Sequence, residues 1–200
     1  MLEKFKIDNK KSLIIGMLLG DAWVTFNRKT AILSYYHSPK QEEYIKFKKG
    51  LLETIGYECK LTYSPKTKNN YPKYKLWTKA YRSLNLYRLM YSFRNTPGKR
   101  KKRIVKSMLN RLDEFGLALW FMDDGYNNPT RNYMHLATYC FSLEENELIK
   151  DFFKSRWDID TKIYRRKNQY FLVWYKDAPK LKEILKPYIS LVPSMLYKIE

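Results

Sequence analysis

The chain is poor in several residue types, and each shortage closes a class of function. Its 200 residues hold two cysteines, Cys59 and Cys140, with no C-x-x-C pair. Neither a disulfide framework nor a thiolate zinc site is therefore expected, and a reducing compartment is. The two histidines, His37 and His135, stand isolated, which argues against a nuclease built on a histidine–metal motif. His135, in the strand-like stretch "NYMHLATY", reads as a packed or surface residue. Long apolar runs are missing. The longest, Leu13–Leu19, is interrupted by Gly16 and falls far short of the ~20 residues that span a bilayer. The opening "MLEKFKIDNKKS" lacks the apolar core of a secretory leader, so a soluble protein is expected.

Acid is the last shortage. Twenty Asp and Glu face 39 Lys and Arg, a formal net charge of +19. Such charge repels itself in a compact fold, so a polyanionic partner is implied. Nucleic acid is preferred to a membrane surface because 16% of the chain is aromatic, as base and sugar contacts require. An AT-rich coding bias would also raise Lys, Asn, Ile and Tyr, but it would not place them.

What is present is a repeat. The apolar stretch "FGLALWFMDDG" (115–125) ends on two aspartates, where a helix C-terminus carries partial negative charge and favours cations. "SLIIGMLLGDA" (12–22) is the same kind of object, and Asp21 and Asp124 lie 124 − 21 = 103 residues apart. Ser38-Pro39-Lys40-Gln41 and Ser142-Leu143-Glu144-Glu145 read as two capping boxes, 142 − 38 = 104 apart. They open helices through about Ile55 and Trp157, the first with Pro at N1. Alternating stretches follow each: "YECKLTYS" (57–64) and "YPKYKLWT" (71–78), then "IDTKIYRR" (159–166) and "QYFLVWYK" (169–176). Helices are expected again at about Tyr81–Phe93 and Pro179–Ile189. Each half thus reads helix, two strands, helix, two strands, helix. This gives an α+β protein with repeats at 1–93 and 114–200 and a basic linker at 94–113, where "KRKKRIVK" (99–106) could lie along a phosphate backbone.

Two equivalent apolar helices can bury each other's faces. Gly16 and Gly20, at i and i+4, would let the backbones come close. That would bring Asp21 and Asp124 together, and their repulsion calls for a divalent cation. Carboxylates without clustered His or Cys suit Mg²⁺ or Mn²⁺. Paired carboxylates beside a basic surface point to phosphodiester hydrolysis, and a pseudo-twofold pair suits two antiparallel strands. The competing reading of either aspartate is a turn or surface acid, since Asp-Gly is a common turn dipeptide. "ECK" (58–60) has the E-x-K form of another nuclease class, but no acid is placed before it.

"LIIGMLLGDA" (13–22) and "LALWFMDDG" (117–125) resemble two copies of the LAGLIDADG motif, and the chain is similar throughout to single-chain LAGLIDADG homing endonucleases. The resemblance implies αββαββα repeats whose antiparallel sheets form a DNA-binding saddle around two central helices. It implies a site-specific double-strand DNA endonuclease cutting a long asymmetric target with Mg²⁺ or Mn²⁺, and the self-contained duplication argues for a monomer. Asp21 and Asp124 match the metal-binding catalytic aspartates. Gly20 and Asp123 match positions whose carbonyls help hold metal. Lys198, in "LYKIE", matches the lysine that orders the attacking water, and Lys102 is its choice in the first repeat, with Lys101 close behind. Leu119 stands where the second motif would have its first glycine, and Ala22 where the first would have its last, so the helix interface should be asymmetric.

The outward strand faces should then read DNA. Candidates in the first half are Thr25, Asn27, Arg28, Lys29, Lys60, Thr62, Lys66, Lys68, Lys73 and Lys75, with Lys99, Arg100 and Lys101 from the linker. In the second half they are Asn127, Asn128, Arg131, Arg165, Arg166, Lys167 and Gln169. Arg suits guanine, Asn and Gln suit adenine, and Lys mostly meets phosphate. Two other functions fit the same pattern: an intron-splicing maturase that binds RNA, and a DNA-binding regulator on an inactive scaffold.

Overall fold

The structure is a computed structural model that describes residues 9–66, 71–93 and 100–200. The protein is α+β, with two four-stranded antiparallel sheets and helices, and it forms two compact units. One is built from 21–88, the other from 11–20 and 89–200.

In the first unit, strands β1 (Trp23–Asn27), β2 (Thr30–His37), β3 (Cys59–Ser64) and β4 (Lys73–Thr78) pair in the order β1-β2-β4-β3. Helix α2 (Glu42–Thr54) follows β2. Alternation explains the sheet: Val24, Ala31, Leu33, Tyr35 and Leu76 are buried, while Trp23, Thr25, Asn27, Tyr36, Lys60 and Thr62 are exposed. Tyr44, Ile45, Leu51 and Leu52 of α2 complete the core.

The second unit repeats the order as β7-β8-β10-β9, from β7 (Gly125–Asn128), β8 (Tyr133–Leu136), β9 (Lys162–Arg166) and β10 (Gln169–Trp174). Helices α5 (Leu143–Trp157) and α6 (Ala178–Ile189) join it. Phe152, Phe153, Trp157 and Trp174 form its aromatic core, with ring centroids 4.9–6.1 Å apart. Two indoles are anchored: Trp174 donates to Thr161 Oγ1 and Trp157 to Glu114 Oε1, both at 2.8 Å.

The same unit holds the two apolar helices, α1 (Lys10–Leu19, from Lys11 onward) and α4 (Glu114–Asp124). Every residue of Ser12–Leu19 and Phe115–Met122 is buried. Helices apolar all round belong in a core. Their close approach uses Gly16 and Gly116: a Cβ on Gly16 would collide with the Gly116 carbonyl, and one on Gly116 with Ser12. Leu119 stands where the second motif would have its first glycine; the contact is made one turn earlier, at Gly116. Ser12 also donates to Asp113 Oδ1 at 2.5 Å, and Asp113 caps α4 by accepting from the Gly116 amide at 3.0 Å.

Two expectations are corrected. The Ser142 box forms, with Ser142 Oγ accepting from the Glu145 amide (3.2 Å) and Glu145 from the Ser142 amide (2.7 Å). The Ser38 box does not: residues Pro39–Gln41 are a 3₁₀ turn, α2 starts at Glu42, and the Gln41 amide group faces His37 at 2.9 Å. The helix expected at Tyr81–Phe93 is a 3₁₀ helix over Ser83–Met90. It is confined at one end by the Ala31–Tyr81 bridge and at the other by β5 (Tyr91–Phe93). Within the expected linker, β6 (Arg100–Lys102) pairs with β5, and α3 (Lys106–Leu109) follows. The Ile104 amide donates to Glu145 Oε1 at 2.9 Å, tying that segment to the second unit.

Candidate metal and nucleic-acid site

The ends of α1 and α4 carry the chemistry. In the second unit Gly20 lies against Asp123 so tightly that a Cβ at Gly20 would collide with the Asp123 side chain. Asp124 follows Asp123 at the end of α4, both carboxylates half-buried. Asp21, one residue past Gly20, belongs to the first unit and has its side chain 44% exposed.

A lysine reaches each helix end. Lys102 Nζ donates to the Gly20 carbonyl. Lys198 Nζ donates to the Gly125 carbonyl at 2.6 Å and reaches the Asp123 carbonyl at 3.5 Å. These ammonium groups supply the positive charge that a helix C-terminus favours and that the aspartates withhold. Strand geometry separates Lys102 from its neighbour. Lys102 pairs with Tyr91 and Lys101 with Ser92, so their side chains leave opposite faces of the β5–β6 ribbon.

The charge is felt nearby. Burial pushes the Cys140 thiol up, opposed by Lys102 and reinforced by Asp124. Burial likewise raises Tyr197, with Asp123 adding to it. Cys59 in the first unit is pushed up to about 12, by burial and then by Glu53. A thiol held protonated near neutral pH is a poor nucleophile. Glu58 of the "ECK" stretch pairs with Lys79 at 2.5 Å.

His37 is not isolated. The hairpin register, Trp23 opposite Ser34, returns the chain so that His37 comes beside Asp21. His37 Nδ1 lies 3.9 Å from Asp21 Oδ2 and 2.9 Å from Gln41 Oε1. Its Nε2 lies 2.9 Å from Lys48 Nζ. Lys48 is fully buried between the rings of Tyr35 and Tyr44, 4.0 Å from each centroid. The sequence held one signal for this: an i, i+4 step from His37 to Gln41, which the capping-box reading masked.

The first sheet gathers its candidates well. Thr25, Asn27, Lys60, Thr62, Lys73 and Lys75 all alternate onto the face opposite the core. Lys73 lies over the Tyr36 ring at 5.3 Å and Lys75 over Trp77 at 4.9 Å, a basic and aromatic stripe. Arg28 and Lys29 form the exposed β1–β2 turn, and Lys66 is exposed. Lys68, Lys99 and the Arg100 side chain lie outside the described residues.

The second sheet is different. Its outer face is an aromatic cluster of Tyr126, Tyr133, His135, Tyr164, Phe171 and Tyr175. Burial, and then Lys198, lowers the His135 pKa. Asn128, Arg166 and Gln169 share this face by register. Asn127 and Arg165 alternate to the other face. Asn127 donates to the Glu200 carbonyl, and Arg165 to the Lys167 carbonyl (2.9 Å) and Asn168 (3.2 Å). Lys167 is in the tight turn, with φ 55°, and Arg131 lies exposed in the β7–β8 turn.

Comparison with known proteins places this geometry. Residues 11–181 match the model of the LAGLIDADG DNA endonuclease family. A probable intron-encoded DNA endonuclease of Mycosarcoma maydis is 31% identical over 126 residues, covering 62% of this chain and 91% of that protein. The cytochrome b mRNA maturase bI2 of Saccharomyces cerevisiae is 29% identical over 206 residues. The match takes in 96% of this chain but only 47% of the maturase, so the chain spans about half that relative's length. The structure of the homing endonuclease I-WcaI bound to its DNA recognition sequence superposes with TM-score 0.78, at 22% identity, over 99% of this chain and 89% of the other. Two apolar helices ending on aspartates, with a four-stranded sheet following each, are thus explained together: the chain belongs to the LAGLIDADG DNA endonuclease family.

Proposed function

We propose that this chain is a metal-dependent, site-specific double-strand DNA endonuclease, a monomer in which repeats 1–93 and 114–200 each serve one strand of an asymmetric target. One observation carries the reading. Lys102 and Lys198 bond to main-chain carbonyls at equivalent places, the ends of the two motif helices. A purely structural helix end needs no acid there, and a lysine beside each acid fits a site that handles phosphate and water.

Endonucleases of this family generally use divalent metal. The donor set fits a hard cation: Asp21, Asp124 and the carbonyls of Gly20 and Asp123 are all oxygen, and a carbonyl that accepts from lysine keeps a second lone pair. When bound, Mg²⁺ or Mn²⁺ would activate water and offset charge on the phosphate and the leaving 3′ oxygen. Asp21 and Asp124 hold their carboxylates at the helix ends. Lys102 and Lys198 orient the attacking water and add positive charge near the scissile phosphates. The Lys- and aromatic-bearing face of the first sheet binds the duplex, with Asn27, Thr25 and Thr62 at base edges and Lys60, Lys73 and Lys75 at phosphates.

The test is cleavage of a randomised or intron-flanking DNA library with Mg²⁺, followed by end sequencing, for the parent, Asp21→Asn and Asp124→Asn. Each variant should lose cutting of at least one strand, by more than the roughly ten- to hundredfold typical of supporting residues, and still bind DNA. Parental cutting by both would overturn the assignment.

A second reading has its own observation: the maturase relative matches nearly the whole of this chain. An intron-splicing activity on RNA predicts splicing failure of the host intron without this protein, undiminished by either aspartate substitution.

A further inference from the structure

We infer that Lys48 and His37 form a buried positioning relay that sets the Nδ1 edge of the His37 ring toward the Asp21 carboxylate, and that it serves only the first of the two strand-cutting centres. The inference rests on the nuclease reading for Asp21, and on geometry within the first unit for the rest.

The contacts of the ring favour one tautomer. With Lys48 as an ammonium, which has donors only, the His37 Nε2 at 2.9 Å from Nζ accepts. A neutral ring would then carry its proton on Nδ1. That atom faces Gln41 Oε1, an acceptor, at 2.9 Å and Asp21 Oδ2 at 3.9 Å. The His37 side chain is 1% exposed and Lys48 is fully buried, so neither is an incidental surface contact. Tyr35 stacks on the His37 ring at 5.6 Å, and Tyr44 is tilted against it at 5.5 Å. The ring therefore has little freedom to turn away from Asp21.

The second repeat shows that the fold does not demand this lysine. Lys48 and Phe152 each stand ten residues beyond the serines at matching places in the repeat, Ser38 and Ser142. Phe152 is 5% exposed, an ordinary core aromatic. The corner between strand and helix is there held by neutral groups: Thr138 Oγ1 at 2.5 Å from Asn146 Oδ1, and the Ser142–Glu145 box. A buried charge costs stability that an apolar residue of similar size avoids. On the Asp21 side alone, the buried lysine holds the histidine that faces the carboxylate. Lys48 touches the histidine and the histidine faces the acid, so the pair orients the carboxylate without touching substrate.

The test follows each strand of a doubly labelled duplex separately, in Lys48→Met, His37→Ala and His37→Gln. For the first two, cutting of one strand should slow by about tenfold to a hundredfold. The other strand's rate and the DNA affinity should stay within about threefold, the level of uncoupled sites, and nicked duplex should accumulate. His37→Gln, which keeps a side-chain N–H, should recover much of the lost rate. Equal slowing of both strands together with a lower melting temperature means a packing role and overturns the inference, as does no change in either. Independently of cleavage, nitrogen NMR of the side chain in the metal-free protein should place the His37 proton on Nδ1. A proton on Nε2 overturns the relay even if the chain cuts DNA. A parent that cuts neither strand sinks the nuclease reading while leaving this measurement decisive.

Discussion

The two four-stranded sheets share a strand order and differ in what holds the corner after their second strand. In the first unit, β2 runs into α2 through His37, Gln41 and the fully buried Lys48. In the second, β8 runs into α5 through Thr138, Asn146 and a complete capping box, over a core of Phe152 and Phe153. One topology therefore tolerates either a charged or a neutral solution. The difference teaches that strand order and helix placement are set by apolar periodicity, while the polar filling of an equivalent corner is open to other demands.

The comparison can be broken or sharpened by exchange. The largest effect is expected from Phe152→Lys, which buries a charge without the His and Tyr partners of Lys48. It should cost about 3 kcal/mol or more in urea unfolding. Lys48→Met should change stability by less than about 2 kcal/mol, because relief of the buried charge offsets an unfilled His37 acceptor. Equal losses in the two variants would show that the corners are not alternatives.

Next comes the contact between α1 and α4. Gly16→Ala should cost about 1–3 kcal/mol, since its Cβ meets the Gly116 backbone rather than a movable side chain. Thermal melting reads this directly. Then the two helix starts can be compared: Ser142→Ala should cost about 1 kcal/mol, and Ser38→Ala less than about 0.5 kcal/mol, because only Ser142 makes a side-chain cap.

The smallest effect is a pH dependence. Burial, and then Lys198, lowers the pKa of His135 below its usual 6.5. Below that pH the unfolded chain binds a proton at this position that the folded chain resists, so stability falls as pH drops from 6.5 and is flat in this respect above it. His135→Gln should flatten the acid side of a stability–pH curve. An unchanged slope would place the cause elsewhere.

Much of this was legible in the chain. Alternation marked the β3–β4 and β9–β10 hairpins, and the spacing of Asp21 and Asp124 marked the repeat. Lys102 and Lys198 were singled out by resemblance, and each reaches a carbonyl at the end of a motif helix. Other features were not. His37 looked isolated because its partners come from three separate places: a hairpin neighbour, a 3₁₀ turn and the middle of α2. Ser38 had the letters of a capping box, but Gln41 found a stronger partner in His37 than in a backbone amide. Gly116 escaped notice because the motif registers align Gly16 with Leu119, whereas two crossing backbones meet where steric room exists.

By itself the sequence determined which segments become apolar helices and alternating strands, and where acids interrupt them, because these depend on periodicity and on charge within one stretch of chain. Only the tertiary structure decided which lysine of an adjacent pair faces a helix end, and which histidine stands beside an aspartate. Those outcomes depend on strand register, where a shift of one residue reverses every side chain, and no local pattern records it.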